Sequence, residues 1–379
     1  MKRAFKAVLF MHAPELVFIL GDVLDQGTNT YSDSDFKDYF DRFKDVFPSD
    51  PDSYKLKIIA GNHDIGFHYD IDYYKDHRFR QAFFGDSRTT CGRIYSQRGI
   101  HFVLLNSMAF QGDNCELCSE ALRDLDEISK SFNCLRADVL ESSLDCRLPT
   151  DLPNSTEKIK YRYDIGSDIL KPGTYSRPIV LQHFPLYRPN DVNCTLSEDS
   201  MPSPLKETAN RPRWECLSEE ATQTIVQKLR PRLVVSGHTH FGCRTDHFLN
   251  IESFETITEY SVASFSTRNL ENPNFLMDGE GEKRSYRPSF EPDACKPITG
   301  IGPALPRELF KNSDHHLEQL HMEERKREEI EEFAVIGPMA PGSELKDELR
   351  HLKSSVSNTI PSLTFSWLME TSITCAMAN

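Results

Sequence analysis

Four separate apolar runs of strand length in this chain end abruptly on residues that bind metals or carry protons. Leu16–Leu20 stops at Gly21 and delivers Asp22, and Lys57–Ala60 leads into Gly61-Asn62-His63-Asp64. Ile179–Gln182 runs into His183, and Leu233–Ser236 into Gly237-His238-Thr239-His240. In an open α/β sheet the carboxyl ends of strands are where ligand groups gather. A glycine there lets the backbone turn tightly and leaves room for whatever the carboxylate holds. One Gly-Asp after a strand is ordinarily a turn, and one core histidine is ordinarily just hydrogen-bonded. Four such endings, all of ligand chemistry, imply a metal site at one edge of a sheet.

The stretches between these endings alternate in pattern. Phe5, Val8, Leu9 and Met11 form an apolar stripe that predicts a helix over Lys2–Met11, closed by Pro14. Phe36, Tyr39, Phe40, Phe43 and Phe47 predict a second over Asp35–Val46, ahead of a strand at Leu56–Ala60. Helix–strand alternation of this kind implies parallel strands covered by helices. Arg93–Ser96 and Ile100–Asn106 read as a hairpin around Arg98-Gly99, and Leu117–Phe132 as an acidic amphipathic helix. Residues 133–176 lack periodicity and read as a long surface insertion. A helix over Ser218–Leu229 with Ser218 as N-cap and a strand at Thr258–Ala263 follow. The domain expectation is one catalytic unit over 1–277 and, over 278–379, a charged and Pro-rich tail with no assignable chemistry. Within that tail a solvated helix is expected over Ser313–Phe333.

A carboxylate able to bridge, an amide oxygen and several imidazoles suit a pair of borderline divalent ions such as Mn, Fe or Zn. Asp22 would bridge them; Asn62, His183 and His238 would complete one site, and His240 would serve the other. Two ions about 3.5–4 Å apart lower the pKa of an attacking water and neutralise a phosphoryl oxygen. His63 would protonate the leaving alkoxide from outside the ligand set, with Asp64 fixing its tautomer. Asp25 would orient the loop after Asp22. His12, His68, His77, His101 and His247 read as ordinary hydrogen-bonded histidines.

Composition narrows the partners. The 379-residue chain carries a formal net charge of −14, which works against a nucleic-acid backbone and leaves no nucleic acid among the expected partners. A phosphate-bearing substrate then needs a local positive centre, which a metal supplies. No apolar run approaches the ~18 residues needed to cross a bilayer. Ten cysteines, with N-x-Ser/Thr acceptors at Asn154 and Asn193, favour an oxidising, luminal compartment. Cys115-Glu-Leu-Cys118 has no second Cys/His pair at matching spacing, so a disulfide-forming loop is preferred to half a zinc site.

Gly-Asp-x-x-Asp-x-Gly (21–27), Gly-Asn-His-Asp (61–64), the lone His183 and Gly-His-Thr-His (237–240) resemble the motif set of the calcineurin-like metallophosphoesterases. That resemblance implies an α/β fold of αββα sandwich type, two divalent metal ions and hydrolysis of a phosphoric ester. Over roughly residues 1–276 the chain is more particularly similar to the membrane-anchored metallophosphoesterases that remodel GPI anchors. Val17–Asp22, Ala60–Tyr69, Gln182–Arg188 and the stretch from Ser264 to Phe275 carry this similarity. It implies a Mn-dependent phosphodiesterase, with Fe or Zn as alternatives, acting on GPI-anchored proteins. The group removed would be ethanolamine phosphate on the second mannose of the glycan, a step that promotes exit from the endoplasmic reticulum. The catalytic domain would face the lumen of ER exit sites, the ER–Golgi intermediate compartment and the Golgi, with membrane association in the full-length family member.

Two departures from that pattern set further expectations. The superfamily opens on a strand ending in Asp-x-His, which serves the ion shared with His240; no such motif precedes Asp22. Without that strand the flanks of Leu16–Leu20 should be exposed, and the second ion should be weakly held. Hydrophobic anchors near the ends are also lacking, so the chain reads as shortened in front and altered behind, by truncation or splicing. Two other readings stay open: a catalytically deficient relative that binds one metal or GPI-protein cargo, and a soluble phosphatase of the same fold.

Overall fold

Leu16–Ile19 (β1) is buried at all four positions, which a strand achieves only when both of its faces and both of its edges are covered. In the computed structural model, residues 1–29, 32–85, 91–111, 115–135, 175–195, 199–250, 255–270, 273–279, 284–286 and 332–337 are described. One edge of β1 pairs in parallel with Lys55–Ile58 (β2). The other pairs in parallel with Glu332–Ile336 (β11), in the register Leu16 to Phe333 through Ile19 to Ile336. Phe275–Gly279 (β9) and Arg284–Tyr286 (β10) extend this sheet to the order β10-β9-β11-β1-β2.

A second sheet comprises Gly92–Gln97 (β3), Ile100–Leu105 (β4), Ile179–Gln182 (β5), Leu233–Ser236 (β6), Cys243–Asn250 (β7) and Glu255–Ser261 (β8), in the order β3-β4-β5-β6-β8-β7. The β3–β4 hairpin turns at Arg98 and Gly99, both with positive φ, as the sequence predicts. Because side chains alternate across a strand, each buried strand feeds two cores. Leu16, Phe18, Leu20, Phe102, Leu104, Ile179, Leu181, Leu233 and Val235 pack together between the sheets. Phe18 and Phe102 meet there with ring centroids 4.8 Å apart. The alternate residues Val17, Ile19, Val103, Leu105, Val180 and Val234 pack with the apolar stripes of the helices. Those helices are Lys2–His12 (α1), Asp33–Val46 (α2), Asn62–Ile65 (α3, a single turn), Tyr73–Phe84 (α4), Glu116–Leu135 (α5) and Glu219–Leu229 (α6).

Local sequence explains where the helices begin and end. The Ser32 hydroxyl accepts from the Asp35 amide at the start of α2, and the Ser218 hydroxyl from the Ala221 amide at the start of α6. Each such cap is worth about 1 kcal/mol. Phe5 of α1 contacts Phe47 just beyond α2, with centroids 4.8 Å apart, so the two predicted helices meet through the aromatic stripe.

Three expectations are corrected. The flanks of β1 are not exposed: β11 covers the edge away from β2, and the Leu20 amide donates to the Ile336 carbonyl at 3.0 Å. The boundary expected at 277/278 falls inside β9, and Phe333, expected in a helix, lies in β11. The segment beyond 277 thus contributes strands to the sheet; of the expected 313–333 helix and 133–176 insertion, the remaining residues lie outside those described, apart from Glu332 in β11, α5 up to Leu135 and Tyr175–Ser176. Val335 and Ile336 are fully buried, so Ile336→Ala is expected to destabilise the chain by about 2–5 kcal/mol. A denaturant midpoint unchanged by that substitution would remove β11 from the fold.

Cys115–Cys118 forms a disulfide, as expected, and Cys194–Cys243 joins the loop after β5 to the start of β7. Cys91 and Cys216 are free and buried. No helix among the described residues is long and apolar enough to cross a membrane.

Candidate metal centre

The parallel strands β1, β2, β5 and β6 all deliver their carboxyl ends to one edge of the sandwich. Two glycines let those ends touch. A Cβ on Gly61 would stand 2.2 Å from the Asp22 Oδ1, and one on Gly21 (φ 91°) would stand 2.7 Å from the Gly61 amide nitrogen. Asp22, His238 and His240 themselves take left-handed backbone, at φ 53°, 67° and 63°. Non-glycine residues held there cost of order 1 kcal/mol each, a strain that clusters at functional sites.

Hydrogen bonding fixes which ring nitrogens face inward. The Nδ1 of His183 lies 2.6 Å from the Leu20 carbonyl, and the Nε2 of His238 lies 2.6 Å from the Trp214 carbonyl. A carbonyl can only accept, so each of these nitrogens carries the proton. Burial lowers the pKa of His183, against the pull of Asp22 and the Leu20 carbonyl. Burial, and then the neighbouring His183, pushes His238 well below the ordinary imidazole range. Both rings are therefore neutral at pH 7, and the opposite nitrogen of each presents a lone pair.

Those lone pairs converge. His183 Nε2 stands 3.2 Å from His238 Nδ1, 2.9 Å from Asn62 Oδ1 and 3.4 Å from Asp22 Oδ2. Asp22 Oδ2 is buried and has no hydrogen-bond donor among the described residues. Burial alone would raise the Asp22 pKa, but His183, His63 and His238 outweigh it and hold the carboxyl below its ordinary value. Two imidazole lone pairs, an amide oxygen and a carboxylate oxygen thus face one another with no proton between them. A divalent cation satisfies all four at once. The backbone carbonyls that fix the two tautomers are the outer partners that histidine ligands need. Asp22, His183 and His238 keep their ligand atoms within 4.8 Å of one another, and together with Asn62 they fit a metal ion.

The remaining site residues fall around this set. His63 is half-buried; its amide donates to Asp22 Oδ1 at 2.9 Å, and its Nδ1 lies 3.3 Å from the Asp25 carbonyl. Asp64 does not fix the His63 tautomer, which corrects that expectation. Both of its oxygens are taken by backbone amides, Oδ1 by Leu24 at 2.8 Å and Oδ2 by Gly61 at 2.7 Å. Asp64 instead ties the loop after β1 to the loop after β2. The Asp25 carboxylate is gripped by Arg268 at 2.9 Å while its carbonyl steadies His63. His240 is buried and acts electrostatically on His238, but among the described residues it joins no group of three or more ligand side chains. Asn193 is exposed beside the Cys194–Cys243 bridge, and Asn154 lies outside the described residues.

Sequence reasoning missed the groups that hold the ligands rather than bind the ion. The Leu20 and Trp214 carbonyls are backbone and leave no residue signature; Arg268, which was missed, reaches the already identified Asp25 across 243 residues. A lone tryptophan in the polar run after Arg213 was the available hint for the Trp214 loop.

An αββα sandwich with Asp, Asn and His donors on adjoining strand ends is the architecture of a metallophosphoesterase domain. The model of the calcineurin-like phosphoesterase family matches residues 1–242, and the chain belongs to that family. Curated relatives of the same type are similar to it along most of its length. Metallophosphoesterase 1 of Ailuropoda melanoleuca is 40% identical over 277 residues, covering 73% of this chain and 61% of the relative. The protein of that name from Rattus norvegicus is 38% identical over 286 residues, covering 76% and 63%, and that of Gallus gallus 39% over 277 residues, covering 73% and 61%. The chain thus spans about three fifths of the length of these relatives.

Proposed function

We propose that this chain is a metal-dependent phosphodiesterase that removes ethanolamine phosphate from the second mannose of GPI anchors, in the lumen between ER exit sites and the Golgi. The observation that carries the hydrolase reading is the convergence of acceptor atoms from Asp22, Asn62, His183 and His238. A Mn, Fe or Zn ion held there supplies a lowered water pKa and positive charge for a phosphoryl oxygen. Asp22, kept ionised, contributes the negative charge of the site, and the two neutral histidines contribute lone pairs. His63 passes a proton from Nε2 to the leaving alkoxide, its Nδ1 being steadied by the Asp25 carbonyl. The Cys115–Cys118 and Cys194–Cys243 disulfides and the exposed Asn193 acceptor support luminal placement. The glycan assignment rests on the resemblance carried by 182–188 and 264–275, and makes GPI-anchored proteins at a membrane surface the substrates.

A second reading, a protein that binds one ion and turns over little, is supported by the converging set Asp22, Asn62, His183 and His238, which suffices for one ion. One experiment separates the two. Purified chain is loaded with Mn, its metal content measured, and ethanolamine phosphate release from a GPI glycan compared with a His238→Ala control. Two ions with release above the control supports the phosphodiesterase; one ion with no release supports the second reading. A chain that binds no Mn, Fe or Zn overturns both. For the compartment, non-reducing peptide mapping of protein from cells should recover the Cys194–Cys243 bridge, and free thiols at both positions would exclude the lumen.

A further inference from the structure

We propose that Tyr69 and Trp214 form a stacking platform for a hexose ring beside the metal centre. The proposal rests on the reading of the substrate as a phosphodiester carried by a glycan. Phe67, Tyr69 and Trp214 contact one another in a triangle: Phe67 to Tyr69 at 5.7 Å between centroids, and each to Trp214 at 5.3 Å. The inner corner of the triangle reaches the metal centre. Phe67 meets the His238 ring edge-on at 6.4 Å, and the Trp214 carbonyl holds the His238 tautomer. The outer corner is open, with Tyr69 59% exposed. Through Phe67, which meets His238, the exposed Tyr69 extends an aromatic wall from the ligand histidine out to solvent.

The chemistry of the wall selects its occupant. Aromatic faces are electron-rich and attract either cations or the weakly positive C–H face of a pyranose. A cationic head group is disfavoured, because the Arg211 guanidinium already lies over the Trp214 ring, 5.8 Å from its centroid. An oligonucleotide is disfavoured by the net charge of −14. A neutral hexose carries no charge to meet either objection, and the exposed Tyr69 leaves room for it at the outer corner. Its ester oxygen can reach the ion while its flat C–H face lies along the rings, so the platform would set which alcohol, rather than which phosphate, is accepted.

The test uses the intact chain and three probes: methyl α-D-mannopyranoside bearing ethanolamine phosphate on its primary hydroxyl, glycerophosphoethanolamine, and AMP. The chain has two tryptophans, so Trp367→Phe leaves Trp214 as the only indole. In metal-free protein of that background the mannoside diester should change Trp214 fluorescence. Tyr69→Ala should raise its Kd about threefold to tenfold, and Tyr69→Phe should restore it. In Mn-loaded enzyme Tyr69→Ala should lower the kcat/KM preference for the mannoside over glycerophosphoethanolamine by a similar factor. An unchanged Kd and preference in Tyr69→Ala, or tighter binding of AMP than of the mannoside, would overturn the platform. A Tyr69-dependent fluorescence response without turnover keeps the platform and defeats the phosphodiesterase; turnover indifferent to Tyr69 does the reverse.

Discussion

Asp22→Asn is expected to weaken metal binding by more than about 100-fold, whereas His63→Ala should leave metal content nearly intact and lower kcat by about 10²–10⁴-fold. The two residues lie on adjoining strand ends and are joined by a hydrogen bond from the His63 amide to Asp22 Oδ1, yet the proposed reaction asks different work of their side chains. Among the described residues no hydrogen-bond donor reaches the buried Asp22 Oδ2, so an ion in the centre would supply its missing partner. Changes in outer partners of metal ligands already cost 10–100-fold in affinity, and losing the only charged ligand should cost more. Asparagine is the informative replacement, because it tolerates the left-handed backbone of residue 22 (φ 53°) and can still accept from the His63 amide. The His63 ring, by contrast, is held by a backbone carbonyl through Nδ1, which leaves Nε2 to move a proton. The contrast is sharpest on a diester with a poor leaving group, where protonation of the alkoxide matters most. Metal analysis and kcat on the same preparations read both effects. Equal metal loss in the two variants would make His63 a ligand.

The four strand endings were legible in sequence because each combines a purely apolar run with an abrupt change to ligand-type residues, a pattern set by burial on one side and chemistry on the other. Asp22, Asn62, His183 and His238, at the ends of those runs, lie together at one sheet edge. The role given to Asp64 was not legible, since adjacency to His63 in sequence says nothing of where a side chain points in a single helical turn. In α3 the Asp64 carboxylate turns back to the Gly61 amide, its own N-terminal cap, and reaches Leu24 beyond it. The β11 strand was hidden for another reason. Glu332–Ile336 holds only four apolar residues after a long charged run, so periodicity extended the helix into it. What makes it a strand is non-local, the free edge of β1 more than 300 residues earlier in the chain. The left-handed conformations at Asp22, His238 and His240 likewise have no sequence mark, because nothing but the surrounding packing enforces them.

Arg188→Met is expected to cost about 3–5 kcal/mol of stability and to move acid unfolding to higher pH. Arg188 is buried between two carboxylates: its Nε donates to Asp191 at 2.7 Å, and its Nη1 lies 3.7 Å from Glu259. Glu259 is fully buried and gathers donors from the strands that carry the metal ligands. It accepts from the Leu186 amide at 2.9 Å, the Ser236 hydroxyl at 2.8 Å and His247 Nε2 at 2.8 Å. Leu186 lies three residues after His183 and Ser236 two before His238, so this one carboxylate braces both histidine-bearing ends. Burial would raise the Glu259 pKa, but His247, Arg188 and the Leu186 amide outweigh it and hold it below the ordinary value. A group depressed in the folded state contributes stability that is fully present above its unfolded pKa, about 4.3 for glutamate. That contribution is lost as pH falls through the lower folded value. Removing the arginine cation leaves two buried carboxylates facing each other, raises the folded pKa of Glu259, and so shifts the acid loss upward. Methionine keeps the volume of the aliphatic stem, which separates the electrostatic effect from a cavity. Denaturant titrations at pH 7 and across the acid limb measure both quantities. A cost under about 1 kcal/mol with an unchanged acid limb would show that Asp191 and Glu259 do not need the arginine, and that the two ligand-bearing ends are held by backbone pairing alone.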